Sequence, residues 1–181
     1  MPKKLKAKIA LVNVPSDNPD ATQKFYSQFL GIDLARSLYE ETESYHAPIS
    51  SDGIDLTVNP RHSPQETPMV MYAVDNLDHA SREVENLGGE RLWGPESLPI
   101  APSALDDYRK NVQEEFPGVN VTNDMGRAAI FQDPGGTQFG LVQLAEHAHG
   151  HFATGRFSQP LTDKQERIHK KAMESAKKVH S

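Results

Sequence analysis

Short apolar runs and amphipathic stretches alternate along the chain, and the same order occurs twice. A strand-like run at residues 8–14 precedes a stretch with apolar positions at helical spacing, and residues 68–74 precede a second one. Apolar residues three and four apart indicate one face of a helix, whereas short continuous apolar runs indicate buried strands. Further strands are predicted after each helix. The pattern therefore predicts a duplicated unit of one strand, one helix and three strands, about 60 residues long, which must share its core with its copy.

The first unit spans residues 7–60. Residues 16–20 supply helix N-cap candidates and a proline suited to a first turn, and Gly31 ends the predicted helix. At helical spacing this helix carries one apolar stripe, made of Ala21, Phe25, Phe29 and Leu30. Antiparallel strands are predicted at residues 33–38, 43–49 and 54–59, with a Ser-Asp-Gly turn before the last.

The second unit spans residues 67–144 and follows a polar linker. Its predicted elements are strand 68–74, helix 76–87, and strands 89–93, 127–132 and 137–144. Residues 95–126 interrupt it as an insertion with a predicted helix at 104–116. Beyond the unit, residues 146–181 form a histidine-containing linker and a helical extension at 162–179. That extension carries a thin apolar stripe at Leu161, Ile168, Ala172 and Ala176, which we expect to dock on the body or on a partner chain.

The predicted fold class is α+β, with two βαβββ modules that pair their curved mixed sheets around a shared cavity. A single domain is expected at residues 1–145. A cleft between two modules is the usual place for a ligand, so a small organic molecule is the expected partner. A homodimer is compatible with this arrangement.

Composition narrows the class of protein. Of 181 residues, 36% are hydrophobic and 24% charged, which is typical of a globular chain. The net charge of −6 argues against a nucleic-acid partner. The absence of cysteine excludes disulfides and thiolate metal sites. No apolar run approaches the roughly 20 residues of a membrane span, so we expect a cytoplasmic protein without a membrane partner.

Several motifs resemble the vicinal oxygen chelate superfamily, which includes glyoxalase I, bleomycin-resistance proteins and extradiol dioxygenases. Residues 14–17, VPSD, and 24–31, KFYSQFLG, resemble its first module. Residues 74–78, VDNLD, 87–89, LGG, and above all 126–141, GRAAIFQDPGGTQFGL, resemble its second. The resemblance covers residues 7–144 and implies paired βαβββ modules around one cavity, so that residues 1–145 form a glyoxalase-like domain.

The resemblance also implies where a metal would bind, because inward-facing His, Gln or Glu side chains hold it in metal-dependent members. The matching positions in this chain are Ile9, Thr57, Met69 and Gly140. None of these is a suitable ligand for zinc, nickel, iron or manganese. No cofactor is therefore expected.

Strand alternation identifies the side chains that share the cavity with those positions. They are Ile9, Leu11, Asn13, Asp55, Thr57, Asn59, Met69, Met71, Gln138 and Gly140. The lining is mostly apolar with neutral amides and hydroxyls, and Gly140 is expected to leave space for a ligand beside the backbone. Simple filling of the space between the sheets is the alternative interpretation.

Other residues are candidates for the same site. His46 could act as a base at the cavity mouth, with a structural role as the alternative. Trp93, beside the insertion, could stack on a planar ligand, and Arg127 could meet an anionic group at the rim or pair with a surface carboxylate. The rival metal site is His147-x-His149-x-His151, where alternate spacing would align the imidazoles on one face of a strand.

Three functions remain open from the sequence. The first is metal-free binding of a small, largely apolar or amphipathic molecule in the cleft. The second is a metal-dependent lyase, isomerase or dioxygenase of the same superfamily. The third is a non-catalytic interaction or regulatory module.

Overall fold

The computed structural model describes residues 7–37, 44–47, 55–115 and 117–148. In chain order the elements are β1 (Ala7–Ser16), α1 (Pro19–Leu30), β2 (Ala35–Arg36), β3 (Tyr45–Ala47), β4 (Asp55–Pro60), β5 (Met69–Val74), α2 (Leu77–Asn86), β6 (Glu90–Pro99), α3 (Pro102–Glu115), β7 (Asp124–Gln132) and β8 (Gln138–Leu144), then a 3-10 turn at Glu146–Ala148. The predicted helix at 162–179 lies outside the described residues. In the part of the chain that is described, no helix has the length and hydropathy needed to cross a membrane.

The described strands form one curled mixed sheet in the order β2-β3-β4-β1-β5-β8-β7-β6. The first strands of the two modules, β1 and β5, pair antiparallel and join them. Within each module the first and last strands run parallel, β1 beside β4 and β5 beside β8. The α+β class and the paired βαβββ arrangement are thus confirmed.

The helices α1 and α2 lie on one face of this sheet, which we call the outer face. Under α2, the buried side chains of Leu77, Phe131 and Leu141 form one apolar cluster. Under α1, Leu56 and Val58 of β4 form another with their neighbours. These clusters anchor each helix to its own module and leave the opposite, inner face to other elements.

The inserted helix α3 covers part of the inner face. Its Leu105 and Tyr108 pack against a cluster that includes Ala73, Ala128 and Val142. The small side chains of β5 and β7 let a helix approach the sheet closely. The insertion therefore fills the end of the inner face that belongs to the second module.

The apolar stripe of α1 does not face the sheet. Phe25, Phe29 and Leu30 are 60%, 70% and 46% exposed. Tyr26 packs instead against the core cluster beneath the helix, together with Ile32 just beyond it. The apolar stripe of α1 therefore faces outward.

The strand β6 is longer than predicted, and the insertion correspondingly shorter. Residues 89–93 were expected to end the strand, yet pairing with β7 continues to Pro99 opposite Asp124. Gly94 makes this possible, because a Cβ there would lie 2.5 Å from the Ala128 carbonyl oxygen and its φ is +80°. The β6–β7 register shifts on both sides of Trp93, and such bulges bend a strand without ending its pairing.

Candidate functional site

A row of mainly polar side chains crosses the inner face beyond the part that α3 covers. Cross-strand partners face the same side of a sheet. Thr57 pairs with His46 on one side and Asn13 on the other, Asn13 with Met69, and Gln138 with Gln132. We call this set the polar row: His46, Thr57, Asn13, Met69, Gln138 and Gln132. All except His46 are partly exposed.

Asn13 is the centre of a hydrogen-bonded group in this row. Its Oδ1 accepts a bond from Thr57 Oγ1 at 2.9 Å and another from the Asn59 side-chain amide. In the described part of the chain, the Asn13 NH₂ group and the side-chain amides of Gln132 and Gln138 make no hydrogen bond. Half-exposed amides without partners can donate to and accept from a ligand.

His46 and Asp55 form a buried pair at one end of the row. His46 Nε2 lies 2.9 Å from Asp55 Oδ2, and the side chains are 4% and 0% exposed. A carboxylate that accepts from an imidazole N–H fixes the orientation of the ring. The sequence pointed to each residue separately, without a partner, and the structure brings them together through the β3–β4 hairpin.

The superfamily's metal positions do not form a ligand set here. Leu11 pairs with both Asp55 and Met71, and Met71 pairs with Gly140. These four residues therefore share one row across the sheet. The residue of β4 that is level with Gly140 is Asp55, whereas the resemblance implied Thr57. Only the carboxylate is a ligand for a hard divalent metal, and it already bonds the imidazole of the buried pair. No group of three His, Cys, Asp or Glu that could hold a metal occurs among the described residues. The residues present therefore do not fit the superfamily's metal.

Ile9 does not continue the rows of the inner face. A register shift in β1 pairs Ile9 with Tyr72, whereas Leu11 pairs with the preceding residue of β5. The shift puts Ala10 in the apolar cluster under α3, and Ile9 is 40% exposed. Strict alternation placed Ile9 in the cavity, and the bulge makes that placement wrong.

The space expected beside Gly140 is occupied. A Cβ on Gly140 would lie 2.0 Å from Met71 Sδ and 2.5 Å from its Cε. The thioether of Met71 therefore lies over the Gly140 backbone, and the expectation of free space for a ligand there is wrong. Methionine commonly fills irregular gaps of this kind.

Trp93 and Arg127 lie on different faces of the second module. Trp93 pairs with Ile130, which pairs with Gly140, so the indole is on the inner face and is 40% exposed. Arg127 forms a two-point ion pair with Asp78 at the start of α2, with both N–O distances 3.2 Å. The guanidinium is therefore directed to the helix on the outer face, and it holds the pKa of the Asp78 carboxyl below its usual value. Arg127 cannot meet a ligand at the cleft in this arrangement.

His147 is a buried structural residue. Its Nδ1 lies 3.1 Å from the Tyr108 hydroxyl and its Nε2 2.9 Å from the Thr122 hydroxyl. The Tyr108 hydroxyl also donates to the His147 carbonyl oxygen at 3.1 Å. His147 is thus used to hold α3 against the 3-10 turn, which is incompatible with the predicted strand of aligned histidines. His149 and His151 lie outside the described residues.

Sequence reasoning missed Gln132 and Met125. Gln132 could have been found, because the Asp-Pro-Gly-Gly turn at residues 133–136 sets it opposite Gln138 in a hairpin. Met125 had no such signal, since it lies in a stretch predicted to be part of the insertion and is buried under α3.

Solved structures support the fold. Methylmalonyl-CoA epimerase from Streptomyces coelicolor, in complex with 2-nitronate-propionyl-CoA, matches with a TM-score of 0.50 and 14% identity, over 78% of this chain and 96% of that one. A hypothetical protein from Bacillus halodurans C-125 matches with a TM-score of 0.50 and 12% identity, over 77% and 95%. No family model and no curated protein matches the sequence. The identities are too low to carry an activity across, but the likeness, together with the paired modules, shows that this chain has the fold of the vicinal oxygen chelate superfamily.

Proposed function

We propose that the protein binds a small, flat, uncharged organic molecule on the open half of the inner face. The observation that carries the proposal is the set of amides on the polar row, at Asn13, Gln132 and Gln138, whose N–H groups have no partner among the described residues. Polar groups that point into a cleft, and whose hydrogen bonds the protein itself satisfies only in part, are suited to orient a ligand.

The apolar surfaces beside these amides favour a flat molecule. Trp93 presents an indole on the inner face, and Met69 lies in the polar row itself. An aromatic face and a thioether both pack well against a planar ring. Met69 pairs with Asn13, and Trp93 pairs with Ile130, two residues before Gln132, so each of these surfaces adjoins an amide of the row.

The electrostatics favour an uncharged ligand. Among the described residues of the row, none is a Lys or an Arg, and Arg127 is paired with Asp78 elsewhere. Two carboxylates lie beside the row, Asp55 in the buried pair and Glu90 opposite Gln132. An anionic group would lose its hydration without gaining a cation, which makes its binding unfavourable.

Trp93 gives a direct assay, because it is the only tryptophan in the chain. Its fluorescence should be titrated with quinolin-2-one, a flat neutral lactam, and with 2-naphthoate, a flat anion of similar size. We expect the lactam to change the emission with saturation and to bind at least about tenfold more tightly than the carboxylate, a difference of about 1.4 kcal/mol.

Substitutions locate the binding. Gln138→Leu should weaken lactam binding about three- to tenfold, since one net hydrogen bond contributes about 0.5–1.5 kcal/mol. The matched control is Gln113→Leu, which removes an exposed amide on α3. Tighter binding of the carboxylate, or equal effects of the two substitutions, would contradict the proposed site.

A further inference from the structure

We propose that the C-terminal segment 161–179 of this chain docks as a helix on the outward-facing side of α1. The docking surface, which we call the α1 stripe, consists of Ala21, Phe25 and Phe29. The two phenyl rings stack with centroids 5.7 Å apart and are 60% and 70% exposed. Two large aromatic side chains so exposed on one helix face are unusual unless something covers them.

A groove continues the α1 stripe at its N-terminal end. It has a volume of about 520 Å³ and is lined by residues that include Pro15, Asp17, Phe25, Tyr26 and Arg61. The guanidinium of Arg61 bonds Asp17 Oδ1 at 3.0 Å and the Pro15 carbonyl oxygen at 3.3 Å, so it is already engaged. The groove is therefore better suited to an apolar side chain than to an anion.

The segment 161–179 has the pattern that such a surface requires. At helical spacing all of its apolar residues except Met173 fall in a single stripe, made of Leu161, Ile168, Ala172, Ala176 and Val179. Two alanines in that stripe leave room for two phenyl rings, since large side chains pack well against small ones on a facing helix.

The charges of the two parts are complementary. Residues 149–181 carry seven Lys or Arg and three Asp or Glu, whereas the rest of the chain carries 12 and 22. Residues 17–43, which include α1, contain six acidic and two basic residues. Lys24, the basic residue on α1, is bonded to Asp20 at 2.7 Å. Attraction between the basic segment and the acidic region around α1 favours their docking. The same region of a second copy is acidic as well, so two α1 stripes would repel each other.

The connecting chain is long enough. Residues 149–160 can span up to about 40 Å when extended. The described chain ends at the 3-10 turn beside β7, and α1 lies over β4 and β1. The distance across the intervening strands is roughly 20 Å, with about 10 Å more to pass from one face to the other.

Disulfide trapping tests the docking in the full chain, which contains no cysteine of its own. Gln28→Cys flanks the α1 stripe and is combined separately with Gln165→Cys and with Ser175→Cys, so that both helix directions are covered. The control pairs replace Gln28→Cys by Asn86→Cys, an exposed position on α2. A disulfide requires Cα atoms within about 7 Å.

We expect an intramolecular disulfide with Gln28→Cys in at least one combination, formed at least about tenfold faster than with the α2 control. Equal rates for the two sites, or no intramolecular disulfide, would overturn the proposal. Disulfides that link two chains only would assign the α1 stripe to a second copy instead and would also overturn it.

A second measurement uses proteolysis. The double substitution Phe25→Glu/Phe29→Glu changes two exposed residues and should leave residues 7–148 folded. If the docking is lost, residues 149–181, which we call the tail, become accessible to trypsin at their seven basic residues. The matched control is Leu87→Glu, which alters a leucine that is 80% exposed at the C-terminal cap of α2. We expect tail cleavage to accelerate at least about fivefold in the first variant and not in the second. Unchanged cleavage in the phenylalanine variant would contradict the docking.

Discussion

Replacement of Tyr108 by phenylalanine tests how α3 is held over the inner face. The Tyr108 hydroxyl meets two atoms of His147, the Nδ1 and the carbonyl oxygen, both at 3.1 Å. His147 itself is 2% exposed, so removal of the hydroxyl takes away a hydrogen-bond partner in a buried setting. A buried polar group that loses its partner costs about 1–3 kcal/mol. We expect Tyr108→Phe to lower the free energy of unfolding by about 2 kcal/mol and the melting temperature by roughly 4–8 °C.

The same substitution should alter the dependence of stability on alkaline pH. Burial raises the pKa of the Tyr108 phenol above its ordinary value of 10.0. Above pH 10 the folded state then keeps the phenol proton, whereas the unfolded chain loses it. The contribution of Tyr108 to the free energy of unfolding is therefore complete below pH 10 and is lost as the pH rises further. The loss amounts to about 1.4 kcal/mol per pH unit for one such group.

The assay is urea unfolding at pH 8 and pH 11, followed by circular dichroism, on the wild type, Tyr108→Phe and Tyr26→Phe. The last is the matched control, because the Tyr26 hydroxyl makes no hydrogen bond in the described part of the chain. We expect the wild type and Tyr26→Phe to lose more stability between the two pH values than Tyr108→Phe does. Equal alkaline slopes, or equal losses at pH 8 for the two substitutions, would refute the reasoning.

Three further substitutions test the fold around the site. Gly140→Ala should lower the free energy of unfolding in urea by about 1–3 kcal/mol, because Met71 must move. In a Met71→Ala background this loss should be smaller by at least about 1 kcal/mol, and additive effects of the two substitutions would contradict the contact. Arg127→Ala should raise the titration midpoint of the Asp78 carboxyl, measured by NMR, from below 3.8 towards that value, and an unchanged midpoint would refute the ion pair as the cause. Asn18→Ala should lower stability by about 1 kcal/mol, since Asn18 Oδ1 caps the backbone N–H of Ala21, and Asn18→Asp should retain most of it.

The order of elements and much of the polar row could be predicted from the sequence. Duplication of the strand and helix pattern implies that β1 and β5 are equivalent, and alternation along each strand then places Asn13 and Met69 on one face. The turn at residues 133–136 fixes β7 against β8. These inferences succeed because they depend on local chain geometry, which neighbouring residues determine.

The placements that failed depend on contacts made far along the chain. Alternation misplaced Ile9, because one extra residue in β1 reverses the direction of every side chain before it. The amphipathic pattern of α1 was correct, but a pattern does not say whether Phe25 or Tyr26 faces the sheet. The histidine spacing suggested a metal site, whereas the hydroxyl of Tyr108, 39 residues earlier, makes His147 part of the core.

The insertion determines which ligands the inner face can accept. The sequence predicted a mainly apolar lining, and several of its apolar members do lie on the inner face. However, α3 covers the apolar end, and Met71 lies over Gly140, so those surfaces are already buried against the protein itself. What remains accessible is the indole of Trp93 and the row from Thr57 to Gln132, whose amides require hydrogen-bond partners. The chemistry of binding therefore changes from burial of an oily molecule to recognition of a polar edge, and a saturated hydrocarbon ligand should bind less well than a lactam of the same size.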